Sequence, residues 1–317
     1  PCEVDDDIHG FPDEMPLRIG THLLHQLLEP GERLAERALK NHDDAGVAFG
    51  CKRDGTALEV VAVERCHQLG IGAFRITSQI LPLATHPVSG YVLEQLDPTG
   101  EIEATFLLAA DLARQYDIRL SFHPDQFVVI NSTNERVVQS AVAELELQGA
   151  VAQLSGVETI VLHAGGAIGG VPASVDRLAR GLERLSPETR RRMALENDDR
   201  NFAPADLAPL CEREGIPLVY DVHHHRCHGD GLTVDEATEL AAETWDGREP
   251  WCHISSPKFG WFAANPRPHA DYVDPDDFPD FWRDRTMTVD VEAKAKERAV
   301  LSLRESVQAL RAEAAML

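Results

Sequence analysis

Lysine is scarce in this sequence. Only five of its 30 basic residues are lysine, whereas 53 residues are acidic, so the formal net charge is −23. Such acidic surfaces keep proteins solvated and monomeric in concentrated salt, so we expect a monomer from a salt-loving source, which unfolding at rising KCl concentration tests. The same charge argues against nucleic acid as a partner, because a basic patch is its usual sign. Any such partner has to be bound through a local feature of the surface.

Several other sequence features are missing. No stretch reaches the roughly 18 consecutive apolar residues that cross a bilayer, and residues 1–7 are acidic where a signal peptide is basic. The six cysteines contain no CxxC pair, which excludes a zinc knuckle and a disulfide framework. The GxGxxG turn of a dinucleotide-binding fold is absent as well. These absences predict a cytoplasmic protein with no membrane partner.

Short apolar runs alternate with longer amphipathic ones along the chain. Seven runs are predicted to be strands, and they end at Ile76, Phe122, His163, Glu196, Asp221 and Glu292 or surround His253. An eighth strand is expected within residues 1–5 or 17–23. Helices are predicted between the strands, at residues 102–116, 135–154, 175–185, 204–214, 234–244 and 292–314. We favour a single (β/α)8 TIM barrel over residues 1–317, its first strand truncated or irregular, rather than an open doubly wound sheet.

Residue types that bind metals fall where these strands end. They are His86, His123, His163, Glu196, Asp221, His224, His253 and Glu292. In a parallel barrel these positions converge on the C-terminal rim, where active sites of this fold are built. One histidine at a strand end is more often a hydrogen-bonded rim residue than a ligand. The whole set would crowd like charges into one pocket, which is costly unless divalent cations neutralise them.

The number and type of these side chains indicate the ions. With three or four ligands per ion, the set predicts about two or three ions that share a bridging carboxylate. Mixed imidazole and carboxylate ligation favours Mn²⁺, with Zn²⁺, Co²⁺ or Mg²⁺ as alternatives. Clustered ions stabilise the attacking and leaving oxygens of a displacement at phosphorus. The sequence therefore predicts phosphodiester hydrolysis.

Three other segments carry weaker signals. In the histidine run of residues 223–228 we assign only His224 to the metal site. The glycines of residues 163–170 would let a phosphate approach the backbone, although a flexible loop is an equal alternative. Phe259, Trp261 and Phe262 lie close to Lys258 in sequence, which suits stacking on bases or covering the barrel mouth.

Eight motifs surround these positions. In chain order they are LATHP, LSFHPDQFV, VLHAGGAIGG, ALEND, VYDVHHH, CHISS, RPHADYV and VEAKAKE. Together they resemble the UV damage endonuclease family, and the similarity runs from about residue 74 to residue 297. The family consists of repair nucleases on a TIM barrel that are related to endonuclease IV. The resemblance implies a metal-dependent endodeoxyribonuclease that nicks double-stranded DNA on the 5′ side of UV photoproducts and other distorting lesions.

The resemblance also implies roles for single residues. Glu196 is expected to be the bridging ligand, and His269 matches a further active-site histidine. Gln126 and Phe127 match a Gln-Tyr pair that is wedged into the duplex opposite the lesion, where a wedge replaces lost base stacking. The residues that we expect to contact DNA are Gln126, Phe127, Arg75, Asn197, Lys258 and Arg267.

Three features depart from the family pattern. Trp251 stands where the family has a lysine that becomes carboxylated to serve the metal site, so we expect a third ion to be weak, absent or held differently. Phe127 lacks the hydroxyl of the usual tyrosine. A strand segment with an aromatic probing residue is expected before Pro1.

Three other functions fit part of this pattern. An abasic-site endonuclease of the endonuclease IV type would use a related metal site. A sugar isomerase of the xylose-isomerase-like class also uses histidines and carboxylates at strand ends, but it needs a lysine near the metals, and the strand ends here offer none. A module that stores metal or clamps DNA without catalysis is a third alternative.

Overall fold

Eight parallel strands form a closed barrel in chain order. The structure is a computed structural model that describes residues 17–22, 59–77 and 80–314. The strands are β1 Leu17–His22, β2 Ala73–Ile76, β3 Arg119–Phe122, β4 Thr159–His163, β5 Met193–Glu196, β6 Leu218–Asp221, β7 Trp251–Ile254 and β8 Met287–Val291. Pairing of β1 with β8, from Leu17 opposite Met287 to Thr21 opposite Val291, closes the barrel. The predicted (β/α)8 fold is confirmed, whereas the extent of the domain over residues 1–317 stays a prediction.

Helices lie between the strands and after β8. They are α1 at residues 59–69, and α2 Leu93–Leu96, α3 Glu101–Gln115, α4 Glu135–Ser155, α5 Val171–Leu182, α6 Pro187–Arg190, α7 Pro204–Glu214, α8 Val222–Cys227, α9 Val234–Glu243 and α10 Glu297–Ala314. Two short 3-10 helices, Pro275–Asp277 and Asp280–Trp282, precede β8. No helix in the described ranges is both long and apolar enough to cross a membrane.

Local sequence signals set the helix ends. The Asn134 side chain accepts a hydrogen bond from the backbone N–H of Arg136 at the start of α4. Thr233 and Glu236 form a capping box at the start of α9, which satisfies backbone donors that have no partner within the helix. Gly156 ends α4 with φ at 75°, a conformation that costs glycine little.

The predicted elements match the observed ones with small shifts. Strands β2 to β7 lie where the apolar runs predicted them, and β1 comes from the second of the two candidate segments. The other candidate, residues 1–5, lies outside the described residues. Helix α10 begins at Glu297 rather than at residue 292, because Lys296 adopts a positive φ of 55° that a continuous helix does not allow.

Two layers of side chains fill the interior of the protein. Outward-facing strand residues such as Ile160 and Leu195 pack with helix residues such as Leu145 and Leu207, all fully buried. A separate cluster contains residues Ala73, Val161, Ala194, Val219, Trp245 and Trp251. Five of them lie on strands, each two positions before a predicted site residue. Because side chains alternate along a strand, the site residues share the barrel interior with this cluster.

Candidate metal centre

Glu196 is the centre of the site. It ends β5 and is fully buried. Its Oε2 lies 2.7 Å from His123 Nε2 and 3.8 Å from His163 Nε2. Its Oε1 lies 3.0 Å from His253 Nδ1 and 3.4 Å from His224 Nδ1. One carboxylate therefore contacts imidazoles from β3, β4, β7 and α8.

Two further carboxylates approach the same imidazoles. Glu292, directly after β8, has Oε1 3.4 Å from His253 Nδ1 and Oε2 3.6 Å from His269 Nδ1. Asp221 has Oδ2 3.5 Å from His224 Nδ1. Its Oδ1 accepts a hydrogen bond from the backbone N–H of His224 and thereby caps α8. The strand-to-helix turn after β6 thus holds Asp221 and His224 together.

These side chains form two groups that can each hold a cation. The ligand atoms of each group lie within 4.8 Å of one another, and the groups are His123, Glu196, His253 and Glu292, and Glu196, Asp221 and His224. Both groups contain Glu196, the residue that the sequence analysis assigns as the bridge. Within the described ranges, Asp221 Oδ2 and His163 Nδ1 are buried and have no hydrogen-bond partner, which is costly in the absence of a further ligand. The residues fit a divalent-metal centre.

His86 lies outside both groups. It is exposed in the turn after β2. Its Nδ1 accepts hydrogen bonds from the backbone N–H groups of Val88 and Ser89, at 3.3 and 3.0 Å. Its assignment as a ligand stays a prediction. The other seven predicted ligands are brought together at one end of the barrel.

Burial and neighbouring charges shift the pKa values of the clustered side chains. Burial raises the pKa of Glu196, but His163, His253 and His123 lower it by more, so the pKa lies well below its ordinary value. Burial lowers the pKa of His224, but Asp221 and Glu196 raise it by more, so it lies well above its ordinary value. For His163 burial dominates and lowers the pKa to about 4.

We predict that metal affinity rises with pH across the neutral range. The pKa values of His224 and His253 are raised, mainly by Asp221 and Glu196 for His224 and by Glu196 for His253, so these imidazoles keep their protons to a higher pH than a free imidazole and lose them as the pH rises. A cation binds only the neutral ring, so binding releases about one or two protons. Calorimetric titration of Mn²⁺ near pH 6, 7 and 8, in buffers of different ionisation enthalpy, measures this release. An affinity independent of pH would contradict the prediction.

Arg75 lies inside the barrel. Its side chain is only 11% exposed, and one terminal nitrogen lies 2.7 Å from Glu292 Oε1. The other lies 3.4 Å from Asp290 Oδ2. The guanidinium thus neutralises carboxylates within the barrel, and its contact with DNA stays a prediction. Asp290 was missed by the sequence analysis, although the alternation of TVDVE places it on the same face as Glu292.

Asn197 lies in the interior of the protein. It is fully buried, and its contact with DNA stays a prediction. Its Nδ2 donates a hydrogen bond to the backbone C=O of Asp221, and its Oδ1 accepts one from the backbone N–H of Asp221, each at 2.9 Å. Asn197 therefore positions Asp221 in the metal centre.

The remaining predicted DNA contacts lie at the rim. Gln126 and Phe127 are exposed in the turn after β3, with Phe127 78% exposed. Lys258 is exposed after β7, and its Nζ lies 5.5 Å from the ring centroid of Phe259. Arg267 pairs with Asp199 at 3.1 Å. The DNA contacts of these four residues stay predictions.

His269 lies beside the metal centre without joining either ligand group. Its backbone forms an isolated antiparallel β-bridge with Pro257, on the loop after β7. Its side chain is 26% exposed. This location suits a group that acts on substrate. Of the other histidines, His225 contacts Asp230 and the hydroxyl of Tyr220, which gives it a structural role.

Trp251 occupies the barrel interior. The side chain is fully buried, and the guanidinium of Arg119 lies 4.5 Å from the ring centroid. Because Trp251 is two residues before His253 on β7, its ring lies on the same face of the strand. An indole in this position offers no ligand to a cation.

Comparisons with known proteins agree with the geometry. A family model described as UV-endonuclease UvdE matches residues 56–316. A relative named UV DNA damage endonuclease, from Bacillus velezensis, is 34% identical over 253 residues, which are 76% of this chain and 77% of the relative. The crystal structure of SacUVDE matches with a TM-score of 0.75 and 25% identity, over 93% of this chain and 99% of that chain.

A second solved structure shares the fold. Endonuclease IV from Thermus thermophilus matches with a TM-score of 0.59 at 17% identity, over 92% of this chain and 99% of that chain. The family-model match covers most of the sequence, including every residue of the two ligand groups. The chain therefore belongs to the UvdE family of UV endonucleases.

Proposed function

We propose that this protein is a divalent-metal-dependent endodeoxyribonuclease that hydrolyses a phosphodiester of damaged double-stranded DNA. The cut is on the 5′ side of UV photoproducts and other distorting lesions. The observation that carries the proposal is Glu196, a buried carboxylate shared by two ligand groups at the barrel rim. Membership of the UvdE family supports a DNA repair nuclease over a sugar isomerase. Mn²⁺ is the first choice of ion, with Zn²⁺, Co²⁺ or Mg²⁺ as alternatives.

The two ligand groups name the residues that would hold the ions. His123, His253 and Glu292 would hold one, Asp221 and His224 would hold another, and Glu196 would serve both. Bound cations supply an activated water and stabilise charge on the leaving oxygen. A third ion would need ligands beyond these groups, and His163, 3.8 Å from Glu196, is one side chain within reach.

The chain's own residues orient the substrate and move protons. His269, half-buried beside Glu292, is placed to contact the phosphate or to transfer a proton, a role worth about 10² to 10⁴ in rate. Phe127 and Gln126 would insert into the duplex at the lesion. A distorted base pair costs less free energy to open than an intact one, so this insertion would favour damaged DNA. Lys258 and Arg267 would contact phosphates at the rim.

A nicking assay tests the proposed function. We expect UV-irradiated supercoiled plasmid to be nicked in Mn²⁺, unirradiated plasmid to stay supercoiled, and EDTA to abolish nicking until excess Mn²⁺ is added. An end-labelled duplex with a single pyrimidine dimer should be cut directly 5′ to the dimer. Cutting of an abasic duplex alone would support the endonuclease IV alternative. Intact plasmid together with ketose formation from aldoses would support the isomerase and overturn the proposal.

A further inference from the structure

A carboxylate without an assigned role lies in the barrel next to the metal centre. Asp290 on β8 is 1% exposed, and its Oδ1 has no hydrogen-bond partner among the residues that the structure describes. Its Oδ2 lies 3.9 Å from His253 Nε2 and 3.4 Å from a terminal nitrogen of Arg75. Burial of a carboxylate is costly unless the charge is paired and hydrogen-bonded. A buried carboxylate such as Asp290 therefore needs a hydrogen-bond donor as its partner.

The neighbouring strands leave room for this carboxylate. Asp290 is level with Gly20 on β1 and with His253 on β7. A Cβ atom at position 20 would lie 2.5 Å from Asp290 Oδ1 and 2.6 Å from the Cβ of Ala73. Any larger residue at position 20 would collide with the carboxylate. Gly20 thus makes space for Asp290.

The two nitrogens of His253 face different groups. Nδ1 lies 3.0 Å from Glu196 Oε1 and 3.4 Å from Glu292 Oε1, within the ligand group. Nε2 faces Asp290 at 3.9 Å and a terminal nitrogen of Arg75 at 3.0 Å. A neutral imidazole carries its proton on one nitrogen only, so a ring that binds a cation through Nδ1 carries it on Nε2. Arg75 has donors alone, so its contact with Nε2 belongs to a ring that is protonated on Nδ1, and Arg75 has to leave Nε2 when that nitrogen carries the proton.

We propose that Asp290 is a positioning residue that accepts the Nε2–H of His253 and thereby presents Nδ1 to the metal ion. The inference rests on the proposed metal centre. A hydrogen bond has a donor–acceptor distance of about 2.7 to 3.2 Å. The distance between His253 Nε2 and Asp290 Oδ2 therefore shortens by about 1 Å when the ring binds a cation. Arg75 lies between Asp290 and Glu292 and forms an ion pair with each. Partners of this kind fix the tautomer of a ligand histidine, and their loss typically costs 10- to 100-fold in metal affinity.

Asp290→Asn tests the inference, with Asp230→Asn as its matched control. Asp230 Oδ1 contacts His225 Nε2 at 2.9 Å, a carboxylate and imidazole pair outside both ligand groups. In calorimetric titrations of Mn²⁺ into metal-free protein, we expect Asp290→Asn to weaken binding about 10- to 100-fold. Asp230→Asn should leave the affinity nearly unchanged. Wild-type affinity in Asp290→Asn would overturn the inference.

A second measurement is made on the wild-type protein, so it does not depend on Asp290→Asn folding. Nitrogen-15 NMR of the Zn²⁺-loaded protein, with the His253 signals assigned by loss in His253→Gln, should show the proton on Nε2. A proton on Nδ1 would overturn the inference. Because neither readout involves DNA, a protein that binds Mn²⁺ as expected but fails to nick UV-irradiated plasmid would contradict the proposed function alone. Absence of Mn²⁺ binding would overturn both.

Discussion

Glu196→Gln is expected to abolish nicking while the barrel stays folded. The variant keeps the size of the side chain but removes the charge that His123, His163, His224 and His253 share. It also replaces one carboxylate oxygen by an N–H donor, which cannot bind a cation. Because both ligand groups lose the same residue, the two ions lose their common support. We expect the rate to fall by more than about 10³-fold, beyond the loss of a single oxyanion donor.

Single-turnover nicking of a dimer-containing duplex at saturating Mn²⁺ measures this effect, and plasma emission spectroscopy measures the ions retained. Glu249→Gln is the matched control. Glu249 precedes β7 at the opposite end of the barrel, where it pairs with Arg18 and accepts a hydrogen bond from Thr288. It should keep wild-type nicking and metal content. A Glu196→Gln variant with most of the wild-type rate would show that Glu196 is not the bridge.

The sequence predicts the site residues that lie at the ends of strands. Parallel strands bring their C-terminal ends to one rim, so His123, His163, Glu196, Asp221 and His253 could be placed together from the apolar runs before them. His86 shows the limit of this argument. It lies ten positions after the end of β2 and is exposed, and strand geometry does not determine the path of the chain so far beyond a strand.

Partners across the barrel were harder to predict. Arg75 lies between the outward-facing residues Phe74 and Ile76, and this alternation indicates an inward side chain. Its partners Asp290 and Glu292 come from β8, more than 200 positions later in the sequence. Without the register of eight strands, an inward arginine is indistinguishable from a phosphate-binding one. The role of Asn197 was hidden in the same way, because its partners are backbone groups of the next strand.

The last expectation concerns how a protein of charge −23 holds DNA. Counterion release makes phosphate binding fall steeply with salt, by about 10³ to 10⁵ between 50 and 200 mM for six to ten contacts. Of the cations assigned to DNA, Arg75 is held inside the barrel and Arg267 pairs with Asp199. Of these three cations, Lys258 is the one that lies exposed at the rim. We expect a shallow slope of log affinity against log salt, near −2 to −3, because each phosphate contributes about −0.9.

With few phosphate contacts, the preference for damaged DNA has to come from short-range stacking. Phe127, exposed at the rim, would stack in the gap that a distorting lesion opens, and each such contact is worth about 1 to 3 kcal/mol. We predict that Phe127→Ala lowers affinity for lesion-bearing duplex about 5- to 150-fold, with little change for sound duplex or in the salt slope. Anisotropy titrations of both duplexes across a salt series, in Ca²⁺ to suppress cutting, measure all three quantities.

Phe262→Ala is the control for this experiment, because Phe262 is also fully exposed but lies on the loop after β7. It should keep the lesion preference of the wild-type protein. If both variants lost it equally, the preference would come from aromatic surface around the whole rim rather than from a wedge at one position. A steep wild-type slope would instead mean that several cations reach the phosphates together, and the arginines paired with carboxylates in this structure would then have to exchange their partners when DNA binds.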